Sequence, residues 1–151
     1  MTPVKRILVA VDFSECSRYA LKRANELAKA LDAKLELLHV WQAPVFVSPE
    51  AMVGATPRGQ TLAQLVQQQA EKSMASFVKE AEDSGIRVES ARVVDGDPAH
   101  TIVSEAERGQ HDLIAIGTHG RTGLSHLLLG SVAEKVVRRS SRPVMSVREP
   151  R

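Results

Sequence analysis

Five consecutive apolar residues, from Ile7 to Val11, place the strongest constraint on how this chain folds. A strand with one face in water alternates apolar and polar side chains, whereas an unbroken apolar run is typical of a strand that is covered on both faces. Parallel sheets with helices packed on both sides contain such strands. The run therefore predicts a central strand over residues 4–11.

Helical and strand-like segments alternate along the rest of the 151 residues. The periodicity predicts helices over 14–31 and 61–84, a helix from Pro98 that ends at Gly109, a helix over 131–139, and strands over 34–40, 86–94, 113–116 and 143–147. Apolar and charged residues alternate in 86–94, which predicts a half-exposed strand at a sheet edge. This order of elements predicts a single doubly wound α/β domain over 1–151. Its ligand site is expected beyond the carboxyl ends of the strands.

One long connection interrupts this alternation. Residues 41–60 carry several prolines and glycines and show little periodicity, which predicts a loop of a length that is usually functional or disordered. The helix over 61–84 that follows is expected to end with Gly85 as a left-handed cap.

The composition excludes several classes of protein. The 20 Lys and Arg residues against 18 Asp and Glu give a net charge of +2, which is too small for a general affinity for polyanions. One Trp, one Tyr and three Phe are too few for a base-stacking surface. The opening apolar run is too short to cross a bilayer. We expect no nucleic-acid partner, no membrane association and a cytoplasmic location.

The cysteine and histidine residues do not suggest a metal site. The single cysteine, Cys16, excludes an intrachain disulfide and is predicted to be a small buried helix residue. His39, His100, His111 and His126 are scattered without metal-ligand spacing, and we expect them to lie at the surface or partly buried.

The segment from Gly117 to Ser131 carries the clearest chemical signal, because it joins a predicted strand to a predicted helix and is rich in glycine. Glycine allows the backbone to approach a ligand closely, and the N–H groups at a helix N-terminus attract an anion. The segment has neither the Gly-Lys-Ser/Thr ending of the common P-loop nor the dinucleotide-binding glycine pattern. It predicts a phosphate cradle of a different kind.

The spacing Gly117-x2-Gly120-x9-Gly130-Ser131 resembles the ATP-binding signature of the universal stress protein family. The resemblance extends to residues 9–14, 94–98, 111–114 and 142–144, and so spans nearly the whole chain. It implies a five-stranded parallel sheet of order 3-2-1-4-5 with helices on both faces, similar to the adenine nucleotide alpha hydrolases.

The resemblance also implies roles for individual residues. Asp12 would bind the ribose, and the backbone near Val11 and Val40 would border the adenine. Gly96 would lie in the loop that closes over the nucleoside, and Gly117, Gly120, Gly130 and Ser131 would hold the phosphates. The complete implied nucleotide site is Val11, Asp12, Phe13, Val40, Gly96, Gly117, Gly120, Arg121, Gly130, Ser131, Val132 and Val144. His119 and Arg121 lie in the same loop, where they would add charge near the phosphates, although the family pattern leaves both positions variable.

The implied ligand is ATP, or AMP or ADP, with Mg²⁺ or Mn²⁺ bound through the phosphates. The resemblance further implies a homodimer through the last strand, residues 143–147. Such a protein would act as a nucleotide-dependent sensor or regulator in the stress response.

Plain structural roles remain open for three of these residues. Asp12 would serve equally as the N-cap of the helix that follows it, and Ser131 with Glu134 has the pattern of a capping box. Gly96 would fit an ordinary turn.

Two other functions also remain open. One is a slow ATPase or self-phosphorylating protein with Thr122, Ser125 or Ser131 as the acceptor, although no general base or nucleophile motif supports rapid turnover. The other is a dimeric interaction module that binds no nucleotide.

Overall fold

The sheet and its helices are seen in a computed structural model that describes residues 2–43, 59–119 and 129–150. The elements are β1 (Arg6–Ala10), α1 (Glu15–Leu31), β2 (Lys34–Trp41), α2 (Leu62–Asp83), β3 (Ser90–Asp95), α3 (Pro98–Arg108), β4 (Leu113–Gly117), α4 (Ser131–Arg139) and β5 (Val144–Val147). Strands and helices alternate as the periodicity predicts.

All neighbouring strands of the sheet are parallel, and their order is β3-β2-β1-β4-β5. Val9 in β1 lies opposite Leu37 of β2 on one side and Ala115 of β4 on the other. The chain therefore builds outward from β1 to β3, and then returns to the other side of β1 with β4. This confirms the strand order 3-2-1-4-5, and it places the switch point between β1 and β4.

Helices cover both faces of the sheet, and β1 contributes to both cores. Ile7 and Val9 pack with α1 and α2 on one face. Leu8 and Ala10 pack with α3 and α4 on the other. None of these four side chains is more than 6% exposed, which confirms the central strand that the apolar run predicts.

The predicted strand over 86–94 begins four residues late, because its first residues finish the preceding helix. Gly85 has φ +82, as expected for a left-handed cap, and the N–H of Ile86 donates to the carbonyl of Ala81 at 2.9 Å. This bond turns the chain at the helix end, so that ladder pairing with β2 starts only at Ser90. The predicted position at the sheet edge is confirmed.

The long connection begins one residue later than predicted, and its end agrees with the prediction to within one residue. β2 continues through Trp41, and Thr61 caps α2 in a capping box with Gln64. Residues 44–58 of the predicted loop lie outside the described part of the chain.

The amino end of the sheet is held by polar side chains. Asp112 accepts hydrogen bonds from the backbone N–H groups of Lys5, at 2.8 Å, and Arg6, at 2.9 Å, and thus ties the start of β1 to the start of β4. The bond from Lys5 is the largest cause that holds the pKa of Asp112 below its ordinary value, and the bond from Arg6 adds to it.

His111 lies beside this bond and is fully buried, so the expectation of a surface or partly buried position is wrong for this histidine. Gly109 and the positive φ of Gln110 turn the chain at the end of α3, and the ring packs against the backbone of Gly109. A Cβ added at residue 109 would lie 2.7 Å from its Nδ1 atom. The Nε2 atom lies 3.3 Å from Oε2 of Glu36.

Glu36 connects the groups at this end of the sheet. Its Oε1 atom accepts from Nε of Arg6 at 3.0 Å and from Nη2 at 2.6 Å, and its Oε2 atom accepts from the hydroxyl of Ser90 at 3.2 Å. Burial raises the pKa of Glu36, but the bond from Arg6, the neighbouring His111 and the bond from Ser90 together outweigh that effect. The pKa therefore lies below the ordinary value of 4.5.

We expect Glu36→Gln to lower the free energy of unfolding by about 1 to 3 kcal/mol at pH 7, because it removes a charged acceptor from a largely buried cluster. The pKa of Glu36 is depressed on folding, so its contribution is complete well above pH 4.5 and is lost as the pH falls through the lower folded-state value. Urea denaturation at pH 7 and pH 3 measures both effects. The difference between wild type and variant should shrink at the lower pH.

Glu89→Gln is the matched control, because Glu89 pairs with Lys34 at the surface of the same end of the sheet. Its effect at pH 7 should be much smaller. An equal loss of stability in the two variants, or a difference for Glu36→Gln that does not depend on pH, would contradict the assignment.

Candidate functional site

A cavity of about 430 Å³ opens at the carboxyl end of the sheet, at the switch point between β1 and β4. Open α/β sheets bind ligands at this position, since the connections from the two strands diverge there to opposite faces. Its lining consists of Ala10, Val11, Asp12, Ser17, Leu38, His39, Val40, Trp41, Pro98, Ile102, Ile116, Gly117, Thr118, His119, Gly130, Ser131, Val132 and Ala133. The elements that supply them are therefore β1, α1, β2, α3, β4 and α4.

The opposite end of the sheet has a larger, more open depression of about 1060 Å³. Its acidic groups already have basic partners: Asp32 pairs with Lys5, Glu36 with Arg6 and Glu89 with Lys34. The acidic groups at this end are paired with basic groups, whereas the cavity at the switch point combines apolar walls with glycine backbone and a helix N-terminus. We therefore take the cavity at the switch point as the candidate site.

The turn after β1 places Asp12 at the cavity. Its Oδ1 atom accepts the backbone N–H of Ser14 at 3.0 Å and also the Ser14 hydroxyl. The Ser14 hydroxyl in turn accepts the N–H of Ser17 at 3.2 Å, and so Ser14 is the N-cap of α1. The alternative that Asp12 caps this helix is wrong, because α1 starts two residues later than that role requires.

Phe13, between these residues, points away from the cavity lining. Its φ of +66 is unusual for a residue with a side chain. The ring packs on His39, with centroids 4.4 Å apart, and meets the edge of Phe77 at 5.8 Å. The predicted site residue Phe13 thus joins the core on the α1 and α2 face.

Thr118 and Gly130 lie together at the cavity, on either side of residues 120–128, which are outside the described part of the chain. The N–H of Gly130 donates to the carbonyl of Thr118 at 2.5 Å. A Cβ at residue 130 would come within 2.7 Å of that oxygen, so the contact requires glycine. The predicted residues Gly120 and Arg121 lie outside the described residues.

Gly117 has a structural requirement that the sequence does not reveal. A Cβ at this position would lie 2.8 Å from the Sγ atom of Cys16 in α1. Cys16 itself is buried, as predicted, and its thiol faces the carbonyl of Val147 at 3.6 Å. Glycine at 117 therefore lets α1 pack tightly under β4, and the cavity lies beside that contact.

The N-terminus of α4 differs from the predicted capping box. Gly130 is the N-cap and forms no side-chain cap, while Ser131 is the first residue of the helix. The backbone N–H of Glu134 donates to the carbonyl of Gly130 at 2.9 Å, and the Glu134 carboxylate pairs with Arg138. Ser131 is therefore not the N-cap. It lines the cavity at the helix N-terminus, where the first N–H groups have no acceptor within a helix.

Two other predicted residues lie outside the cavity lining. Gly96 follows β3, has φ +153 and donates its N–H to the carbonyl of Trp41 at 2.9 Å. Val144 in β5 packs in the core on the α3 and α4 face. Seven of the predicted residues do line the cavity together: Val11, Asp12, Val40, Gly117, Gly130, Ser131 and Val132.

Several residues of the lining are not predicted from the sequence, and four of them carry polar groups: His39, Trp41, Ser17 and Thr118. His39 Nδ1 lies 2.8 Å from the carbonyl of Val11, and the Trp41 indole N–H donates to Gln67 of α2. Ser17 and Thr118 are almost fully buried. The sequence holds one signal for Ser17: it lies one turn before Ala20, on the apolar face of the predicted helix.

Metal-binding clusters and membrane-spanning helices are both absent from the described part of the chain. Across 2–43, 59–119 and 129–150, no group of three or more His, Cys, Asp or Glu side chains is placed to hold a metal ion. No helix in this part of the chain combines the length and apolar character needed to cross a membrane.

The fold and the cavity define a doubly wound α/β protein with a candidate ligand site at its switch point. The model of the universal stress protein family matches residues 3–148. The universal stress protein MJ0531 of Methanocaldococcus jannaschii is 35% identical over 147 residues, which cover 97% of this chain and 84% of that protein. The chain belongs to the universal stress protein family.

Solved structures share the fold of this chain. The structure of MJ0577, a universal stress protein of M. jannaschii, has a TM-score of 0.77 at 32% identity and covers 99% of both chains. The universal stress protein UspA of Lactobacillus plantarum has a TM-score of 0.78 at 24% identity and covers 98% of this chain and all of that one. A universal stress protein solved in complex with cAMP has a TM-score of 0.69 at 24% identity, covering 97% of this chain and 98% of that one.

Two neighbouring substitutions test the geometry at α4. We expect Gly130→Ala to lower the free energy of unfolding by about 1 to 3 kcal/mol, because the new methyl group would collide with the Thr118 carbonyl. Ser131→Ala should change it by no more than about 0.5 kcal/mol, since Ser131 does not cap the helix. Urea denaturation distinguishes the two. A loss of about 1 kcal/mol for Ser131→Ala would show that Ser131 does cap the helix.

Proposed function

We propose that this chain binds an adenine nucleotide, with ATP as the principal ligand, in the cavity at the carboxyl end of the sheet. The observation that carries the proposal is the tie between Thr118 and Gly130, which sets the start of α4 at the end of β4. One cavity thus combines glycine backbone, a serine hydroxyl and a helix N-terminus at one side with apolar strand ends at the other. Phosphate favours the first side and a purine base the second.

The proposed placement follows the order of groups in the nucleotide. The adenine would lie by Val11 and Val40, at the ends of the central strands, and the ribose would lie against the Asp12 carboxylate. The phosphates would reach Gly117, Gly130 and Ser131, with Gly120 and Arg121 contributing from the segment between them. His119 lines the same side of the cavity. Gly96 and Val144 would act indirectly, by shaping the connections around the base.

A divalent ion, Mg²⁺ or Mn²⁺, would accompany ATP. The described residues around the cavity offer one carboxylate, Asp12, together with hydroxyl groups and backbone. Mg²⁺ commonly binds through substrate phosphates and one or two carboxylates while it keeps several waters. The phosphates would therefore supply most of its ligands, and the ion would neutralise part of their charge.

The family relationship supports a nucleotide-dependent sensor or regulator in the stress response, located in the cytoplasm. Occupancy of the cavity would alter α4 and the connection before it, and hence the surface that a downstream partner meets. The relative solved with cAMP shares the fold, and an adenine nucleotide is bound in that protein. The proposal concerns binding and regulation rather than rapid turnover.

Calorimetric titration of nucleotide-stripped protein with ATP and Mg²⁺, and with AMP and GTP, tests the proposal. We expect ATP to bind about tenfold or more tightly than either of the others, because it alone offers both adenine and three phosphates. Asp12→Ala and Ser131→Ala should each weaken ATP binding, and the Ser131 variant should affect AMP less. Glu89→Gln, at the opposite end of the sheet, serves as the control.

The absence of ATP binding by the folded protein would refute the proposal and favour the nucleotide-free interaction module. Equal affinity for GTP would refute adenine recognition. Release of ADP or a gain of phosphate mass in the same sample would favour the slow ATPase or self-phosphorylating alternative.

We also propose a homodimer through β5 and the preceding residue, Pro143. β5 is the last strand in the sheet order, with β4 as its neighbour, and an edge strand presents backbone groups that another chain can pair with. Joining two edges would make a continuous sheet through both subunits.

Sedimentation at micromolar concentration should show a dimer for the wild type. Ser146→Glu should shift the population toward monomer, because Ser146 is exposed on the edge strand and the two substituted strands would carry like charges. A monomeric wild type would refute this assembly without bearing on nucleotide binding.

A further inference from the structure

We propose that Ser14 is a positioning residue, whose hydroxyl fixes the Asp12 carboxylate for the ribose and thereby makes the site selective for ribonucleotides over deoxyribonucleotides. This inference rests on the proposed nucleotide binding and deepens it. The family resemblance implies a ligand role for Asp12 and none for Ser14.

Ser14 donates two hydrogen bonds to the same carboxylate oxygen of Asp12. The Ser14 N–H reaches Asp12 Oδ1 at 3.0 Å, and the Ser14 hydroxyl donates to the same atom. Two donors on one oxygen fix both the position of the carboxylate and the rotation of its plane. A carboxylate accepts about four hydrogen bonds in all, so a ribose hydroxyl can add to this pair.

The direction of the Ser14 hydroxyl is set from its other side. A hydroxyl has one hydrogen to donate, and the Ser14 oxygen accepts the N–H of Ser17 at 3.2 Å. The hydrogen is therefore used for Asp12, while the lone pair is used for the N-cap of α1. Ser17 also donates its own hydroxyl to the Ser14 carbonyl at 3.0 Å, which holds the serine backbone in the turn.

The intervening residue makes this arrangement possible and stable. Phe13 has φ +66, so the chain turns back enough for the N–H of Ser14 to reach the side chain of Asp12. Arg18 donates to the Phe13 carbonyl at 2.5 Å and to Glu80 of α2 at 3.0 Å. The turn is thus held by packing and hydrogen bonds from two helices, as expected for backbone in a costly conformation near a functional site.

A carboxylate that is already oriented loses little conformational freedom when it binds a hydroxyl group. A mobile Asp12 would contribute less to the binding free energy of the nucleotide, and it would distinguish less between ribose and deoxyribose. Ser14 should therefore affect the contact with the sugar and leave the contacts with base and phosphates largely unchanged.

The test compares ATP with 2′-deoxy-ATP and 3′-deoxy-ATP, each with Mg²⁺, by calorimetric titration. For wild type we expect the analogue that lacks the bonded hydroxyl to bind about tenfold or more weakly than ATP, as for a hydrogen bond to a charged group. Ser14→Gly should bring the ratio of the two affinities, ATP over this analogue, close to one. Glycine retains acceptable N-cap properties but has no hydroxyl for Asp12. Ser14→Thr, which keeps the hydroxyl, should retain the ratio.

Two further variants separate positioning from helix capping. Thr61→Gly removes the N-cap hydroxyl of α2, outside the cavity lining, and should leave the ratio unchanged. Ser14→Asp caps α1 well but cannot donate to Asp12 at neutral pH, so it too should bring the affinity ratio close to one. This variant provides the test if Ser14→Gly fails to fold. Circular dichroism checks the fold of each variant.

The outcomes also distinguish this inference from the proposed function. If wild type does not bind ATP, both fail. If wild type binds ATP but shows no preference over either deoxy analogue, the ribose contact and the positioning role fail while nucleotide binding stands. If folded Ser14→Gly and Ser14→Asp keep the preference of the wild type, or lose affinity for all three nucleotides equally, Ser14 has only a capping role.

Discussion

The burial of β1 on both faces is the constraint on which the rest of this structure depends. Its side chains fill two cores at once, and β2 and β4 occupy its two edges. A strand in this position requires helices above and below and parallel neighbours reached by crossovers. At their carboxyl ends, β1 continues to α1 on one face and β4 continues to α4 on the other, and this divergence creates the cavity.

The two ends of the sheet serve different purposes because different groups occupy them. At the amino end, Asp112 binds the backbone of β1, and Glu36 joins Arg6, Ser90 and the buried His111. These contacts tie the starts of β1, β2, β3 and β4 together. At the carboxyl end, close approach comes from glycine instead: Gly117 lies against Cys16, and Gly130 lies against the Thr118 carbonyl. The first contact fixes a helix, and the second sets a helix N-terminus at the cavity.

Side chains at the cavity depend on support from residues behind them. Asp12 is oriented by Ser14, and the Phe13 turn is supported by His39, Phe77 and Arg18. Trp41 is tied to Gln67 in α2. The helices on one face of the sheet thus hold the rim of the cavity, while α3 and α4 from the other face provide its remaining wall. Changes in packing far from a ligand would alter the cavity through these contacts.

The sequence by itself determined the order of the elements, the central strand and the edge position of β3, since apolar periodicity is a local signal, and its resemblance to the universal stress protein family implied seven residues of the cavity lining. Only the tertiary structure decided that Phe13 faces the core, that His111 is buried beside Glu36, and that Gly117 is required by Cys16. It also showed that the N-cap of α1 is Ser14 rather than Asp12, and that the N-cap of α4 is Gly130 rather than Ser131. The physical reason is distance along the chain: whether a polar residue caps a helix, fills a core or faces a cavity depends on groups that only folding brings next to it.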